Sequence, residues 1–337
     1  MLKVGLIGAG FMGAMHAACY EQINDVTLVA VADVENEKAS KIADKFNAEV
    51  FKTGIDLIDN ADVDIVDICL PTYLHTNHAV LAMEKGRAVF IEKPVCLKPE
   101  EGKLLLDTQK QTGAKVMIGQ CIRLWPEYMW LENLYDSGKY GELISAVFTR
   151  ISPKPTWSWN NWILDPAKGG SAALDLHIHD TDFIRYLMGE PVDVSSEASR
   201  DENGVIIQIH TSYNYPGRLV TAEGAWGYPP KFPFSMEYRV KFEKATAVYK
   251  SGASPSLSVY TEDGNEEFPK LEKEDIGTDD LGGNVSDLGG YYNELKYFTD
   301  RVKSGLPIEK STLDESVKSL ELVIREIKNA GGQEPLY

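Results

Sequence analysis

Short apolar segments alternate with longer, helically periodic segments over about the first 120 residues. The apolar segments are rich in Val and Ile, and they predict buried strands at Lys3–Ile7, Val26–Ala32, Val63–Leu70, Ala88–Ile91 and Lys115–Ile118. Helical spacing predicts helices at Met12–Ile23, Glu35–Phe46, Thr76–Lys85 and Glu100–Thr112. Strands that alternate with helices in this way predict an α/β fold with a doubly wound parallel sheet.

The pattern changes after about residue 122, where polar and apolar residues begin to alternate. The spacing predicts helices at Pro126–Asp136 and Ala172–Met188 and strands at Leu143–Arg150, Val192–Glu197, Val205–Tyr213, Leu219–Glu223, Glu237–Phe242, Ala245–Tyr249 and Leu257–Tyr260. An acidic, Gly-rich loop at Lys270–Gly290 and helices at Tyr291–Lys303 and Asp314–Asn329 complete the chain. This part predicts an α+β domain with an open, largely antiparallel sheet.

The amino-acid composition limits which kinds of molecule the protein can bind and where it can be located. The chain has 51 acidic and 34 basic residues, and a net charge of -17 disfavours nucleic acid and anionic membranes. Its four cysteines form no C-x-x-C pair, which predicts reduced thiols. A strand pattern begins at the first residues in place of a signal peptide, and no apolar segment approaches the length of a membrane span. We therefore expect a cytoplasmic protein.

A glycine-rich turn lies between the first predicted strand and the first predicted helix. It reads Gly8-Ala9-Gly10-Phe11-Met12-Gly13. In this context Gly8 allows a tight turn, Gly10 allows a pyrophosphate to approach the backbone, and Gly13 allows the helix to pack closely on the strand. The turn predicts a Rossmann dinucleotide site, which includes Phe11 and Met12 at the start of the helix.

Asp33 follows the second strand about 20 residues after the last motif glycine, where a carboxylate accepts hydrogen bonds from the adenosine ribose. The next residues include Glu35 and Glu37 and no arginine. A 2′-phosphate would meet negative charge here, so we predict NAD rather than NADP.

Two later segments carry residues suited to alcohol oxidation. Lys93 follows the fourth predicted strand, at the sheet edge where ligands of open α/β sheets bind. On a regular helix, Asp175, His179 and Asp182 share one face and His177 is turned away. Removing hydride from a carbon that bears a hydroxyl needs a general base and a nearby positive charge, which an imidazole and a lysine supply.

The glycine turn, Glu92-Lys93-Pro94-Val95 and the segment Gly169–Asp182 together resemble the glucose-fructose oxidoreductase and inositol dehydrogenase (Gfo/Idh/MocA) family. The resemblance implies an NAD-dependent dehydrogenase acting on a CH–OH group of a sugar, inositol or related polyol. It implies that His179 is the acid/base, that Asp175 orients it and the substrate, and that Lys93 stabilises the alkoxide and touches the nicotinamide ribose. It also implies a cis bond before Pro94.

The same resemblance implies further contacts at less sharply matched positions. Cofactor contacts are expected at Pro71, Thr72, His75, Glu92, Lys93, Arg123 and Trp162, and substrate contacts at Lys93, Arg123, Asp175, His179 and Tyr291. His75 fits equally well as a helix cap or a surface residue. Trp157 and Trp159, with neighbouring asparagines, fit either a platform for sugar rings or an ordinary packed loop.

Domain organisation follows from chain length and from the resemblance. A chain of 337 residues predicts two domains. We expect an NAD-binding Rossmann domain at residues 1–122, to which residues 304–337 return, and a substrate-binding and oligomerisation domain at 123–303. An open sheet face is normally covered, so we expect a homodimer or homotetramer formed through the C-terminal sheet.

Two rival interpretations remain. The His177-Ile178-His179-Asp180 pattern resembles metal-binding sequences, but metallohydrolases carry such residues on a loop with a further His, so we predict no metal. The other rival is a protein that senses nicotinamide nucleotide and regulates a partner without turnover. Loss of Lys93 or His179 would mark such a protein, and both are present.

Overall fold

The computed structural model describes residues 1–271 and 289–331. The chain forms two compact units: the first contains residues 1–125 and the described part of 274–318, and the second contains the described parts of 126–273 and 319–337. Helices and strands are numbered below in chain order.

The first unit opens with a parallel α/β arrangement. Its strands are β1 (Leu2–Ile7), β2 (Val26–Ala32), β3 (Glu49–Phe51), β4 (Ile65–Ile68), β5 (Ala88–Glu92) and β6 (Val116–Gly119). Its first helices are α1 (Phe11–Gln22), α2 (Asn36–Phe46), α3 (Gly54–Asn60), α4 (His75–Glu84) and α5 (Pro99–Thr112). The strand order is β3-β2-β1-β4-β5-β6 with all neighbours parallel, which confirms the predicted doubly wound Rossmann sheet.

The sequence explains these elements locally. All four residues of β4, in the middle of the sheet, and all four of β6, at its edge, are buried, as expected for parallel strands covered on both faces. Helix α5 begins with Pro99 in its first turn and ends at Gly113, whose φ of 70° suits a glycine C-cap. The pattern missed β3 and α3, because three and seven residues are too few to show a period.

The second unit contains the predicted open sheet. Its helices are α6 (Pro126–Ser137), α7 (Pro166–Gly169) and α8 (Ile178–Met188). Its strands are β7 (Leu143–Pro153), β8 (Asp193–Arg200), β9 (Ile206–Tyr215), β10 (Arg218–Tyr228), β11 (Ser235–Phe242), β12 (Ala245–Lys250), β13 (Leu257–Thr261) and β14 (Glu266–Glu267). The order is β14-β13-β12-β11-β7-β10-β9-β8, and only β7 and β10 pair in parallel, so the prediction of a largely antiparallel sheet is confirmed.

An aromatic and ionic core joins this sheet to its helices. The ring of Tyr128 on α6 meets Phe183 on α8 edge-on, with ring centroids 4.8 Å apart. Beside them, Arg150 Nε on β7 lies 3.1 Å from Asp180 Oδ2 on α8, and both side chains are buried. The helices therefore pack on one face of the sheet. Alternate strand residues such as Arg239 lie exposed on the other face.

The last two helices are α9 (Gly289–Lys303) and α10 (Leu313–Asn329). Helix α9 belongs to the first unit, whereas the predicted boundary at 303 places it in the second domain. The reason is close packing: a Cβ at Gly290 would lie 2.1 Å from the Trp125 ring, so glycine lets α9 approach that segment. Most of the predicted loop Lys270–Gly290 lies outside the described residues, and Gly289 and Gly290 begin α9.

Helix α10 contributes to both units. Its residues up to Lys318 belong to the first unit and those from Ser319 to the second. Val317 packs beside Gly102 of α5, where a Cβ on the glycine would lie 2.9 Å from a Val317 methyl. Residues 304–318 therefore belong to the first unit, and residues 319–329 belong to the second.

Candidate active site

The glycine turn after β1 has the backbone that its sequence predicts. Gly8 has a φ of +97°, and a Cβ there would lie 2.5 Å from the carbonyl oxygen of Cys69. A Cβ at Gly13 would lie 1.9 Å from the carbonyl oxygen of Gly8, so only glycine lets α1 start this close to β1. Both glycines are required by the protein's own packing.

Gly10 differs from these two glycines, because a Cβ there would meet nothing within 4 Å. Gly10 is also the N-cap of α1, makes no side-chain cap bond, and precedes a first turn that contains no acidic residue. Open space in front of the amides at a helix N-terminus is the arrangement that receives a phosphate. The turn, with half-buried Phe11 and Met12, therefore fits the pyrophosphate of NAD.

Asp33 lies beside this turn, immediately after β2. Its Oδ2 accepts a hydrogen bond from Ala9 N at 2.7 Å, and its Oδ1 accepts one from Glu35 N at 2.7 Å. Each carboxylate oxygen can accept a further bond, so the half-buried side chain can still receive ribose hydroxyls. Sequence reasoning missed that Asp33 also holds the glycine turn in place.

The charge around Asp33 agrees with the predicted preference for NAD. Val34, Asn36 and Glu37 are exposed in the turn that follows. The nearby cation, Lys38, forms an ion pair with Glu35. A 2′-phosphate would therefore face carboxylates and an already paired ammonium group.

The segment after β4 carries Pro71 and Thr72, predicted to contact the nicotinamide side. Pro71 is half-buried and Thr72 is 2% exposed. His75 is fully buried: its Nδ1 lies 3.0 Å from Pro94 O and its Nε2 lies 2.7 Å from Leu70 O. Burial lowers the pKa of His75, and a neutral ring donates to one of these carbonyls. His75 is thus neither a surface residue nor a side-chain cap, and its ring nitrogens face backbone oxygens.

Lys93 follows β5 at the carboxyl end of the parallel sheet and is half-buried. The Lys93–Pro94 peptide bond is cis, as the resemblance implied. Glu92, predicted to contact the cofactor, is 5% exposed, and its carboxylate points into the protein, where Oε1 lies 3.0 Å from His16 Nε2 and Oε2 accepts from Lys93 N at 3.0 Å.

A cluster of buried ionisable side chains lies beneath this turn, and sequence reasoning did not identify it. It comprises His16, Tyr20, Asp67, Cys69, Glu92 and Glu294. Both oxygens of Glu294 are buried without a hydrogen-bond partner among the described residues. Burial raises the pKa of Glu294 well above its usual value, and Glu92 adds to the effect. The sequence signal that could have identified this cluster was the presence of polar residues within apolar segments, such as Asp67 in β4.

Arg123 and Tyr291, both predicted to bind substrate, lie in the first unit. Arg123 is 1% exposed in the short 3-10 helix Cys121–Leu124. Asn293 on α9 donates to Leu124 O at 3.0 Å, and the Tyr291 ring meets Trp125 edge-on at 5.8 Å. Helix α9 thus brings Tyr291 to the segment that carries Arg123.

The helix that carries Asp175 and His179 is irregular. A π-helical turn at Ala173–His177 precedes α8, so one residue is inserted and the simple i, i+4, i+7 arrangement does not hold. His179 is 7% exposed, and Asp175 is half-buried. A Cβ at Gly224 of β10 would lie 2.6 Å from the Cβ of His177, so a strand glycine makes room for this turn.

His177 and Asp182 face α10 in the second unit. His177 Nε2 lies 2.9 Å from Glu326 Oε2 and 3.2 Å from Thr211 Oγ1. Asp182 is fully buried, and its Oδ1 accepts from Ser319 Oγ at 2.7 Å. Contact with α10 gives Asp182 a packing role, which corrects the expectation that it belongs to the face presented by Asp175 and His179.

The tryptophan-rich loop divides into a packed and an exposed part. Trp162 packs against a buried group that includes Ile163 and Trp226. Trp157 and Trp159 are 58% and 40% exposed. The packed-loop alternative therefore does not fit Trp157 and Trp159, and these two exposed rings are compatible with a platform.

Groups that could hold a metal ion occur, among the described residues, only in the buried cluster of the first unit. They are His16 with Asp67 and Cys69, and His16 with Glu92 and Glu294. Neither group includes His177 or His179, whose sequence pattern suggested metal binding.

Two family models match the chain over most of its length. One, described as an oxidoreductase family with an NAD-binding Rossmann fold, matches residues 2–120. The other, the GFO/IDH/MocA C-terminal domain, matches residues 128–248. The chain belongs to the GFO/IDH/MocA family. Its first 120 residues or so are the NAD-binding domain of that family, as the glycine turn predicted.

Similar proteins include sugar and inositol dehydrogenases. Inositol 2-dehydrogenase of Rhizobium meliloti (strain 1021) is 36% identical over 201 residues, which cover 59% of this chain and 58% of the relative. D-glucoside 3-dehydrogenase of Escherichia coli (strain K12) is 29% identical, over 58% of this chain and 57% of the relative. These sequence matches cover less than two thirds of either relative's length.

A solved structure matches over nearly the full chain. The crystal structure of a putative myo-inositol dehydrogenase from Sinorhizobium meliloti 1021 has a TM-score of 0.81 and 25% identity, and the match covers 98% of both chains. The fold of both units is therefore shared with that protein. Among the described residues, no helix combines the length and apolar character needed to cross a membrane.

Proposed function

We propose that this protein is an NAD-dependent dehydrogenase that acts on a CH–OH group of a sugar, an inositol or a related polyol. The observation that carries the proposal lies in the first unit. The space in front of Gly10 is open beside the first amides of α1, and Lys93 stands at the carboxyl end of the same parallel sheet. Ligands of open α/β sheets bind at that edge, which supports a dinucleotide there with a lysine near its reactive end.

The chain's own residues hold the cofactor and manage the proton. The amides after Gly10 bind the pyrophosphate, and the Asp33 carboxylate accepts the ribose hydroxyls. Pro71, Thr72 and Trp162 remain candidate contacts for the rest of the cofactor. When bound, NAD supplies the hydride acceptor.

His179 acts as the general base for the hydroxyl proton, Asp175 orients it, and the ammonium group of Lys93 stabilises the developing alkoxide. This division matches chemistry to side chains, since an imidazole exchanges a proton near neutral pH whereas a lysine keeps its charge. Arg123 and Tyr291 are proposed as substrate contacts. Their shared location in the first unit supports a common role.

The substrate class is supported by the relatives, whose names include inositol and glucoside dehydrogenases. Exposed Trp157 and Trp159 agree with a polyhydroxylated ring, because flat aromatic rings pack on the apolar faces of sugars. We further propose a cytoplasmic homo-oligomer formed through the open face of the second sheet. Four free thiols agree with a reducing compartment.

The test is a screen of inositols, aldoses, deoxy sugars and their keto derivatives, with NADH formation or consumption as the readout. At least one should turn over, with NAD preferred to NADP. Lys93→Met and His179→Ala should each lower kcat by about 1,000-fold while the nucleotide Kd changes by less than about 3-fold. Nucleotide binding without turnover of any compound would favour the regulatory alternative.

A further inference from the structure

The backbone of Lys93 is held by the side chain that precedes it. Lys93 N donates to Glu92 Oε2 at 3.0 Å. Pro94 has no N–H group, so the amide of Lys93 is the one backbone donor in the Lys93–Pro94 pair. A bond to this amide fixes the direction in which the chain leaves β5, and hence the point from which the Lys93 side chain extends.

The other oxygen of Glu92 is fixed from the interior. Glu92 Oε1 lies 3.0 Å from His16 Nε2 on α1, and the carboxylate is almost completely buried. A Cβ at Gly119 on the neighbouring β6 would lie 3.0 Å from the same Oε1, so this glycine leaves just enough room for the carboxylate. With an oxygen engaged on each side, Glu92 has one orientation.

His16 is itself held by a carboxylate. Its Nδ1 lies 2.8 Å from Asp67 Oδ2 on β4, and Tyr20 donates to that oxygen at 2.9 Å. Burial is the largest single influence and lowers the pKa of His16, but the charges of Asp67 and Cys69 and the hydrogen bonds to both groups together raise it well above its usual value. A protonated ring donates from both nitrogens and can join two carboxylates.

A second buried histidine holds the other side of the turn. His75 Nδ1 lies 3.0 Å from Pro94 O, and its Nε2 lies 2.7 Å from Leu70 O. This ring connects the segment after β4 to the turn after β5. The Lys93–Pro94 pair is thus braced by one imidazole through Glu92 and by another directly.

We infer that His16 and Glu92 are positioning residues that fix the Lys93 turn through a continuous buried chain of hydrogen bonds from Asp67. The inference rests on the proposed function of Lys93 and assigns Glu92 a role other than contact with the cofactor. In this inference a proton joins His16 to Glu92, since 3.0 Å between nitrogen and oxygen is a hydrogen-bond distance.

The first test measures hydrogen exchange at the amide of Lys93 by mass spectrometry at single-residue resolution. The wild-type amide should be protected, and Glu92→Gln should stay within about 3-fold of it, because the Gln oxygen still accepts from Lys93 N while its amino group donates to the neutral form of the His16 ring. Glu92→Leu, which is similar in size but has no acceptor, should exchange about 30-fold faster or more. An unprotected wild-type amide would overturn the inference even if the Leu variant failed to fold.

The second test separates positioning from general damage. Glu92→Leu should lower kcat by about 100-fold while the NAD Kd stays within about 3-fold, and Glu92→Gln should restore kcat to within about 5-fold of wild type. If Glu92→Gln lost as much kcat as Glu92→Leu, the charge of Glu92 rather than its hydrogen bonds would be responsible. That result would contradict the positioning role.

Glu294→Gln provides the matched control in the same cluster. Glu294 is as deeply buried as its neighbours and has no hydrogen-bond partner among the described residues, so it does not hold the amide of Lys93. Its kcat should stay within about 3-fold of wild type. A loss of kcat equal to that of Glu92→Leu would mean that the whole cluster, not the Glu92 bridge, affects the turn.

Metal analysis of the purified protein tests whether a cation binds in the buried cluster. His16, Glu92 and Glu294 each offer one ligand atom within 4.8 Å of the others, so a stoichiometric bound metal would show that a cation replaces the proton and would overturn the inference. Absence of turnover by the wild type would contradict the proposed function, whereas hydrogen exchange and NAD affinity would still test the inference.

Discussion

The two units carry their candidate residues by different means. In the first unit, the backbone of one turn forms the nucleotide site, and Gly8 and Gly13 are there because a Cβ would collide with neighbouring carbonyl groups. In the second unit, Asp175 and His179 are carried by a helix whose π-turn is accommodated by Gly224 of an adjacent strand. The first arrangement is visible in one short sequence motif, although Gly8 also packs against distant Cys69, and the second depends entirely on packing between distant segments.

Substituting the motif glycines should produce the largest effects. Gly13→Ala puts a Cβ 1.9 Å from a carbonyl oxygen, so we expect destabilisation of about 3 kcal/mol or more and loss of detectable NAD binding. Gly10→Ala adds a Cβ to open space, so stability should change by less than about 1 kcal/mol while NAD affinity falls at least 10-fold. Urea unfolding and calorimetric titration measure the two quantities.

This pair of variants separates the fold from the ligand site. If Gly10→Ala bound NAD normally, the space in front of Gly10 would not be the pyrophosphate site. If Gly13→Ala were stable, the contact between α1 and the turn would be more adaptable than its geometry indicates.

The buried ion pair of the second unit should give the next largest effect. Asp180→Ala removes the carboxylate 3.1 Å from Arg150 Nε, and breaking a buried pair from one side costs about 3–5 kcal/mol. Unfolding in urea measures the loss, and Asp193→Ala, at an exposed position, is the control. A loss below about 1 kcal/mol would mean that solvent reaches Arg150.

A smaller effect with a defined pH dependence is expected at Glu294. Its folded pKa is raised by burial, so the folded state keeps a proton that the unfolded state releases near its ordinary value. Stability therefore falls as pH rises from the unfolded pKa towards the folded one. Glu294→Gln should remove this slope and stabilise the protein at neutral pH by about 1–3 kcal/mol. Parallel stability curves for both proteins would contradict the assignment.

Most of the fold of the first unit could be predicted from the sequence, and less of the fold of the second. Strands covered on both faces appear in the sequence as continuous apolar segments. A glycine pattern such as Gly8–Gly13, placed between a strand and a helix, has few interpretations other than a dinucleotide-binding turn. Helix α3 was too short to show a period. The π-turn was not predictable, because it depends on the contact between His177 and Gly224, which are distant in sequence.

Some residues of the candidate site could likewise be predicted from the sequence, and others could not. Asp33 and Lys93 follow strands directly, so their location at the sheet edge could be predicted. His16 and Glu92 gave no signal as partners, since only the packing of α1 beneath β5 brings an imidazole to a carboxylate 76 residues away in sequence. Asp182 was grouped with His179 from ideal helix geometry, whereas its contact with Ser319 depends on α10.

A double-mutant cycle under single-turnover conditions tests most directly whether Lys93 and His179 serve the same chemical step. NADH formation is followed with a substrate from the screen, in wild type, Lys93→Met, His179→Ala and the double variant. We predict that the double variant is no more than about 3-fold slower than the slower single variant, because residues that act as a unit are strongly non-additive. Two losses that multiply fully would show that the amine and the imidazole act independently, and would contradict the proposed mechanism.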